Sequence, residues 1–144
     1  MAKAARPTRS GMAFVTTATH ERRPIFQIAR AADLFIETLL YYRTHGYYKL
    51  HGYLVLPDHV HLLLTPQSIP LQHAVRLIKD GFAFRLNAKL PIWEPDYKAY
   101  SIASLSDLNI VREYLYQLPV RAQLSSSPEL YPYSSAYRQT PATG

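Results

Sequence analysis

The chain has 144 residues, of which 48% are hydrophobic and 12% aromatic, so it can fold around its own core and is not a disordered chain. It contains no cysteine, which excludes disulfides, thiolate metal sites and cysteine nucleophiles. No apolar run is as long as a membrane span and no secretory segment is recognisable, so we expect a cytoplasmic protein without membrane contact.

The charge of the chain is basic. Sixteen Lys and Arg against ten Asp and Glu give a formal charge of +6 and a pI near 9.6. A small basic protein commonly binds a polyanion, and nucleic acid is the usual candidate. Twelve tyrosines favour this interpretation, because aromatic rings beside basic groups can stack on unpaired bases. The alternative is a positive excess that only maintains solubility.

Hydrophobic spacing predicts four strands and three helices. In chain order they are a strand at 12–19, a helix at 27–45, strands at 48–56 and 59–65, a helix at 71–89, a short strand at 93–102 and a last helix. A tight turn at Pro57-Asp58 joins the second and third strands. The last helix begins at Ser104 or Ser106 and is ended near Leu118 by Pro119. We predict a flexible basic arm at 1–10, a single folded domain at 11–138 and a tail at 139–144.

The order β-α-β-β-α-β predicts an α+β fold of the ferredoxin-like or RRM-like type. We expect one antiparallel sheet with helices over one face and an additional C-terminal helix that carries Tyr114. The other face of the sheet is left for that helix, a partner or a ligand. Because the edge of an antiparallel sheet invites pairing, we also expect a homodimer.

His59 and His61 are the most informative residues of the chain. Alternate side chains of a strand share a face, so the two imidazoles lie side by side while Val60 points the other way. Adjacent imidazoles are poor core material but suitable metal ligands. A His-x-His pair also arises by chance, so a purely structural pair is the alternative. A catalytic metal would need a third ligand and an open position.

The last predicted helix offers a nucleophile and a third ligand. Tyr114 and Gln117 are three residues apart and share a face next to the apolar stripe of this helix. The stripe consists of Leu108, Val111, Leu115 and Leu118. An ionised phenol is a nucleophile, and a metal that polarises a phosphate lowers the barrier to its attack, which would leave a phosphotyrosine link. The alternative is that Tyr114, one of twelve tyrosines, serves only for packing.

Two groups of basic residues are candidates for contacts with DNA phosphates. Arg22 and Arg23 lie in a polar turn after the first strand. The second predicted helix carries a basic stripe made of Arg76, Lys79, Arg85 and Lys89. A solvated helix face is the alternative for this stripe.

Several segments together resemble the HUH single-tyrosine transposases, in particular the REP-associated tyrosine transposases among them. Leu-Pro-Asp-His-Val-His-Leu-Leu at 56–63 is similar to the His-hydrophobe-His motif of that family. The other similar segments are Phe14-Val-Thr-Thr, His20-Glu-Arg-Arg-Pro-Ile-Phe26, Leu77-Ile-Lys79 with Asn87, Trp93-Glu-Pro, the tyrosine segment at 114–124 and the closing segment at 131–136.

The resemblance implies a DNA transposase, which is an endonuclease and strand transferase that uses Mg²⁺ or Mn²⁺. Its substrate would be single-stranded DNA near a hairpin. His59 and His61 would be metal ligands, and Tyr114 would be the nucleophile that forms a 5′-phosphotyrosine. Proteins of this family often dimerise by joining their sheets.

The sequence departs from the family pattern at two places. The polar residue expected four positions after the tyrosine is Leu118, so we assign the third ligand to Gln117 instead. The histidine and arginine expected after the tryptophan are missing at 99–103. Two other functions therefore stay open: a domesticated, non-catalytic domain that binds single-stranded DNA or an RNA hairpin, and a ferredoxin-like small-molecule metal-binding domain without DNA affinity.

Overall fold

The computed structural model describes residues 11–138, in which four strands and three α-helices form. The elements are β1 (Met12–Ala18), α1 (Ala29–Thr44), β2 (Tyr48–Leu56), β3 (His59–Pro66), α2 (Leu71–Arg85), β4 (Lys98–Ile102) and α3 (Leu105–Arg121). The predicted arm at 1–10 and tail at 139–144 lie outside the described residues. No helix within 11–138 is long and apolar enough to cross a membrane.

The four strands form one antiparallel sheet in the order β2-β3-β1-β4. This confirms the predicted ferredoxin-like α+β fold, with the histidine-bearing strand β3 in the interior of the sheet. The two-residue turn at Pro57-Asp58 sets the register of the β2-β3 hairpin, in which Leu56 pairs with His59.

Alternation along the strands gives each face of the sheet its own core. On one face, Val15, Val60 and Leu62 pack with α1 and α2, through a cluster that includes Phe35 and Phe82. On the other face α3 packs against a second cluster, formed by Met12, Leu54, Leu56, Leu63, Ile102, Leu108, Leu115 and Tyr131. The terminal helix therefore covers much of the face that the sequence left open.

The second helix ends earlier than the spacing predicted. α2 stops at Arg85, and Asn87 takes a left-handed conformation with φ of 57°. Asparagine tolerates this conformation better than most residues, so it turns the chain out of the helix. Lys89 consequently lies beyond α2.

The predicted stop at Pro119 was wrong, because α3 continues to Arg121. Proline removes one N–H donor and its ring crowds the carbonyl of Leu115, and α3 accommodates both effects in its last turn. The buried Pro119 ring lies within the helix, and the N–H of Ala122 still donates to the carbonyl of Leu118. The predicted cap at Ser104 is confirmed, since its Oγ accepts from the Asp107 N–H at 3.1 Å.

The fourth strand was also predicted too long. It begins at Lys98, and Trp93 makes only an isolated bridge with Thr19. The indole packs against the first cluster and donates from Nε1 to the carbonyl of Lys79 at 3.0 Å.

The closing segment shields one edge of the sheet. The N–H of Val55 donates to the carbonyl of Tyr133 at 2.8 Å, and the N–H of Ser135 donates to the carbonyl of Tyr53 at 3.0 Å. The edge at β2 is thus partly paired. In the part of the chain that the structure describes, no strand pairs with the outer edge of β4.

Candidate active site

The two histidines of β3 lie side by side on the α3 face of the sheet. Their ring centroids are 4.9 Å apart and the ring planes are nearly perpendicular, at 89°. Val60 between them is fully buried on the opposite face. The strand alternation thus places the two side chains as the sequence predicted.

Each imidazole is held through its Nδ1 atom. Nδ1 of His61 is 2.8 Å from the hydroxyl of Thr16, its register partner on β1. Nδ1 of His59 is 2.7 Å from the Asp58 carboxylate, which can only accept and therefore fixes the proton on this nitrogen. In a neutral ring Nε2 then carries the lone pair. A histidine held at one nitrogen by an oxygen acceptor is a typical metal ligand through the other.

His61 is the more enclosed of the two rings. Phe14 of β1 stacks on it with centroids 5.4 Å apart and an interplanar angle of 24°. Burial, together with the neighbouring His59, lowers the pKa of His61 from 6.5 to about 4. The ring is therefore neutral at physiological pH and keeps a lone pair available to a metal.

Arg22 is the predicted DNA-binding residue that lies next to the histidine pair. Its guanidinium is exposed and lies 3.6 Å from the Asp58 carboxylate and 3.5 Å from Nδ1 of His59. Because Nδ1 of His59 already donates to Asp58, we interpret the arginine as attracted to the carboxylate. Arg22 and the preceding Glu21 both have positive φ, near 55°, a strained conformation that aims this turn toward the site.

Tyr114 and Gln117 lie on α3, but no hydrogen bond or ring contact joins either of them to the histidines within residues 11–138. Among the described residues, the ring contact of Tyr114 is with Arg121, whose guanidinium is 5.4 Å from its centroid. The tyrosine is 49% exposed, and Gln117 is half-buried without a side-chain hydrogen bond within 11–138. Leu118 packs against the second cluster as part of the predicted apolar stripe. The structure therefore places Tyr114 on the accessible side of α3, away from hydrogen-bond or ring contact with the histidines.

The predicted basic stripe does not form one exposed row. Lys79 is buried and donates to the carbonyl of Glu94 at 2.8 Å, and burial lowers its pKa. Arg85 donates to Tyr42 and lies over the rings of Tyr41 and Tyr42. Hydrophobic spacing alone could not reveal that the segment after α2 folds back over Lys79.

Two members of the stripe remain exposed, and one of the paired arginines is a structural residue. Arg76 and Lys89 are exposed, although α2 lies on the opposite face of the sheet from the histidines. Arg23 is half-buried and donates to the carbonyl of Pro91 at 2.6 Å. Arg22 is therefore the best placed of the predicted basic residues.

Sequence reasoning missed the residues that support the histidines. The sequence places Asp58 in a turn and in the 56–63 segment but does not predict its contact with His59, although an acid directly before His59 is a visible signal. Thr16 and Phe14 come from a strand more than forty residues away. The resemblance singles out the segment Phe14-Val-Thr-Thr, but only the β1-β3 register shows that Phe14 and Thr16 reach His61.

Comparison with known proteins identifies the family. The family model described as "Transposase IS200 like" matches residues 10–117, which include both histidines and Tyr114. The chain belongs to this transposase family. The resemblance to HUH single-tyrosine transposases noted in the sequence is thereby confirmed. Curated proteins gave no significant match.

Solved structures show the same fold as this IS200-like transposase. The structure described as a REP-associated tyrosine transposase bound to a REP hairpin has a TM-score of 0.78 and 21% identity, over 94% of this chain and 82% of that chain. A putative transposase from Deinococcus radiodurans R1 has a TM-score of 0.55 and 23% identity, over 72% of this chain and 87% of that chain.

Proposed function

We propose that this chain cleaves and rejoins single-stranded DNA beside a hairpin, with Tyr114 as the nucleophile. Membership of a transposase family supports a nuclease and strand transferase in general. The observation that carries the assignment to this site is the oriented histidine pair. Nδ1 of His59 donates to the Asp58 carboxylate, and the Thr16 hydroxyl can accept from Nδ1 of His61, an arrangement in which both Nε2 atoms carry the lone pair that a divalent metal needs.

The chemistry at Tyr114 is an exchange of one phosphate ester for another. The phenol oxygen attacks phosphorus, an O–P bond to tyrosine forms, and the P–O3′ bond breaks. The proton of the phenol is lost to solvent or a base, and the leaving 3′ oxygen takes up a proton. The product is a 5′-phosphotyrosine and a free 3′-hydroxyl. Because the ester bond is retained, the reverse reaction can rejoin a strand.

His59 and His61 are the residues that would hold Mg²⁺ or Mn²⁺. Within 11–138 there is no group of three His, Cys, Asp or Glu side chains suited to a metal, so a third protein ligand would be of another type. The amide oxygen of Gln117 is our candidate, since it lies on the same helix as Tyr114. A bound metal would polarise the scissile phosphate and neutralise charge that develops during the attack.

Unpaired or hairpin DNA is the substrate we propose. A related fold, the REP-associated tyrosine transposase, is described as bound to a REP hairpin. The excess positive charge of this chain and the exposed Arg22 beside the histidines fit a polyanion. We also propose a homodimer that pairs along the outer edge of β4, since the closing segment occupies the edge at β2.

A labelled DNA hairpin with unpaired flanks tests the reaction. Incubation with Mn²⁺ is expected to give a covalent protein–DNA adduct that Tyr114→Phe abolishes. Tyr137→Phe, a change at another exposed tyrosine, is the matched control and retains the adduct. An adduct that persists in Tyr114→Phe contradicts the assignment.

One observation favours a second function, a non-catalytic domain that binds single-stranded DNA or RNA hairpins. Leu118 stands where the resembling family has a polar residue, and its side chain packs against the second cluster instead of being available to a metal. For this function, wild-type protein would bind the hairpin with a strong salt dependence but form no adduct with any divalent metal.

A further inference from the structure

A row of rings crosses the sheet from the histidine pair to an exposed tyrosine. Phe14 pairs in register with Tyr100 of β4, and Thr16 pairs with His61, so these side chains share the face that carries the histidines. The centroids of Phe14 and Tyr100 are 6.5 Å apart, against 5.4 Å for Phe14 and His61. The ring plane of Phe14 is inclined by 32° to that of Tyr100 and by 24° to that of His61.

The helix on this face does not cover the end of the row. α3 packs over Met12, Leu63 and Ile102, which lie toward the other end of the strands. Tyr100 remains 57% exposed, and no hydrogen bond of its hydroxyl occurs within the described part of the chain. Tyr100 therefore presents an exposed aromatic ring at the end of this sheet face that α3 leaves uncovered.

The charges around the row select the partner. Lys98 lies two residues before Tyr100 on the same face, is exposed, and forms no ion pair among residues 11–138. Arg22 provides a second exposed cation next to His59. A base can stack on the ring while its phosphates lie against these cations. A duplex cannot use such a surface, since its bases are already stacked and paired.

We propose that Tyr100 and Lys98 form a stacking site for one unpaired nucleotide of the DNA, next to the phosphate that Tyr114 attacks. The identity of the ligand as DNA rests on the proposed function. Tyr100 lies within 99–103, where the sequence lacks the histidine and arginine of the resembled family pattern.

The test compares a blunt DNA hairpin with the same hairpin carrying an unpaired extension, both without divalent metal. One base of the extension is replaced by 2-aminopurine, position by position. Wild type is expected to quench its fluorescence at one position. Tyr100→Ala should remove the quenching and weaken binding of the extended hairpin about tenfold, whereas Tyr100→Phe stays within about twofold. Lys98→Ala should lower the slope of log K against log salt by about one.

Controls separate stacking from other causes. Tyr137→Ala removes an exposed tyrosine at the far side of the sheet, beside β2, and should leave both affinities unchanged. The proposal is overturned if Tyr100→Ala weakens binding of the blunt hairpin as much as binding of the extended hairpin. It is also overturned if Tyr100→Ala binds the extended hairpin as tightly as wild type does. Conversion of a dimer to a monomer by Tyr100→Ala, seen by sedimentation, also overturns it, because the ring then belongs to a contact with a second copy.

The adduct assay distinguishes this proposal from the proposed function. An adduct that depends on Tyr114, together with binding that is indifferent to Tyr100, rejects the stacking site and retains the nuclease. Binding that depends on Tyr100 without any adduct retains the stacking site and rejects the nuclease.

Discussion

Thr16 holds the imidazole of His61 from the neighbouring strand, with its hydroxyl 2.8 Å from Nδ1. The two residues are register partners in the β1-β3 ladder, so the bond depends on the sheet and not on local sequence. It orients one of the two proposed metal ligands. Several consequences of this arrangement can be measured.

Thr16→Val should weaken Mn²⁺ binding about tenfold while the fold is retained, because the change keeps the shape of the side chain but removes the partner of Nδ1. Calorimetric titration with Mn²⁺ measures the affinity. Thr17→Val is the matched control. Its hydroxyl is buried on the other face without a hydrogen-bond partner among the described residues, so metal affinity should not change. Equal affinities in the two variants would contradict the role of Thr16.

The pKa of His61 should be near 4 in the folded protein, since burial and the neighbouring His59 disfavour the imidazolium. The unfolded chain takes up this proton near pH 6.5 and the folded chain does so only near pH 4. Stability supplied by the neutral ring is therefore present above pH 6.5 and is lost as the pH falls toward 4. NMR titration of the ring protons without metal checks the value, and a midpoint near 6.5 would refute it.

Gln117 is predicted to supply the third metal ligand. Gln117→Ala should lower Mn²⁺ affinity, whereas Gln117→Glu should preserve or raise it, because a carboxylate is the stronger ligand for this ion. Both variants are measured by the same titration as Thr16→Val. If neither variant changes the affinity, the third ligand is not at this position.

Substitution of Arg22 should affect DNA binding, whereas substitution of Arg23 should affect the stability of the fold. Arg22→Ala should weaken DNA binding and reduce the salt slope by about one, with a stability change under about 1 kcal/mol, because its ion pair is exposed. Arg23→Ala should instead destabilise the fold, since its guanidinium donates to the carbonyl of Pro91. Salt-dependent binding and urea unfolding measure the two effects. If the two variants lose DNA affinity and stability to the same extent, the different roles of Arg22 and Arg23 are contradicted.

Lys79 is expected to stabilise the fold and not to bind DNA. Lys79→Met removes the bond to the carbonyl of Glu94 and should cost about 1–3 kcal/mol of unfolding free energy. The DNA affinity of the folded fraction should not change. Arg76→Ala, at an exposed position of the same helix, is the control and should leave stability unchanged. If Lys79→Met loses DNA affinity without losing stability, Lys79 is a DNA-binding residue and the structural role is wrong.

The order of the elements and the direction of the two histidines could be predicted from local patterns in the chain. Alternation in β3 is a local property, since neighbouring peptide units force successive side chains to opposite faces, so His59 and His61 could be placed together from their spacing. Apolar spacing likewise predicts the helices, but it does not predict where α2 and α3 end. Those ends depend on Asn87 turning the chain and on Pro119 being tolerated so close to the end of α3.

The surroundings of the histidines and the accessibility of the basic residues became visible only in the folded chain. Thr16, Phe14 and Tyr100 reach the site through strand register, which pairs residues distant in sequence. Lys79 is withdrawn from the surface because the segment after α2 folds back over it. Burial and hydrogen bonding of this kind are set by contacts between distant segments, and for that reason no pattern along the chain could reveal them.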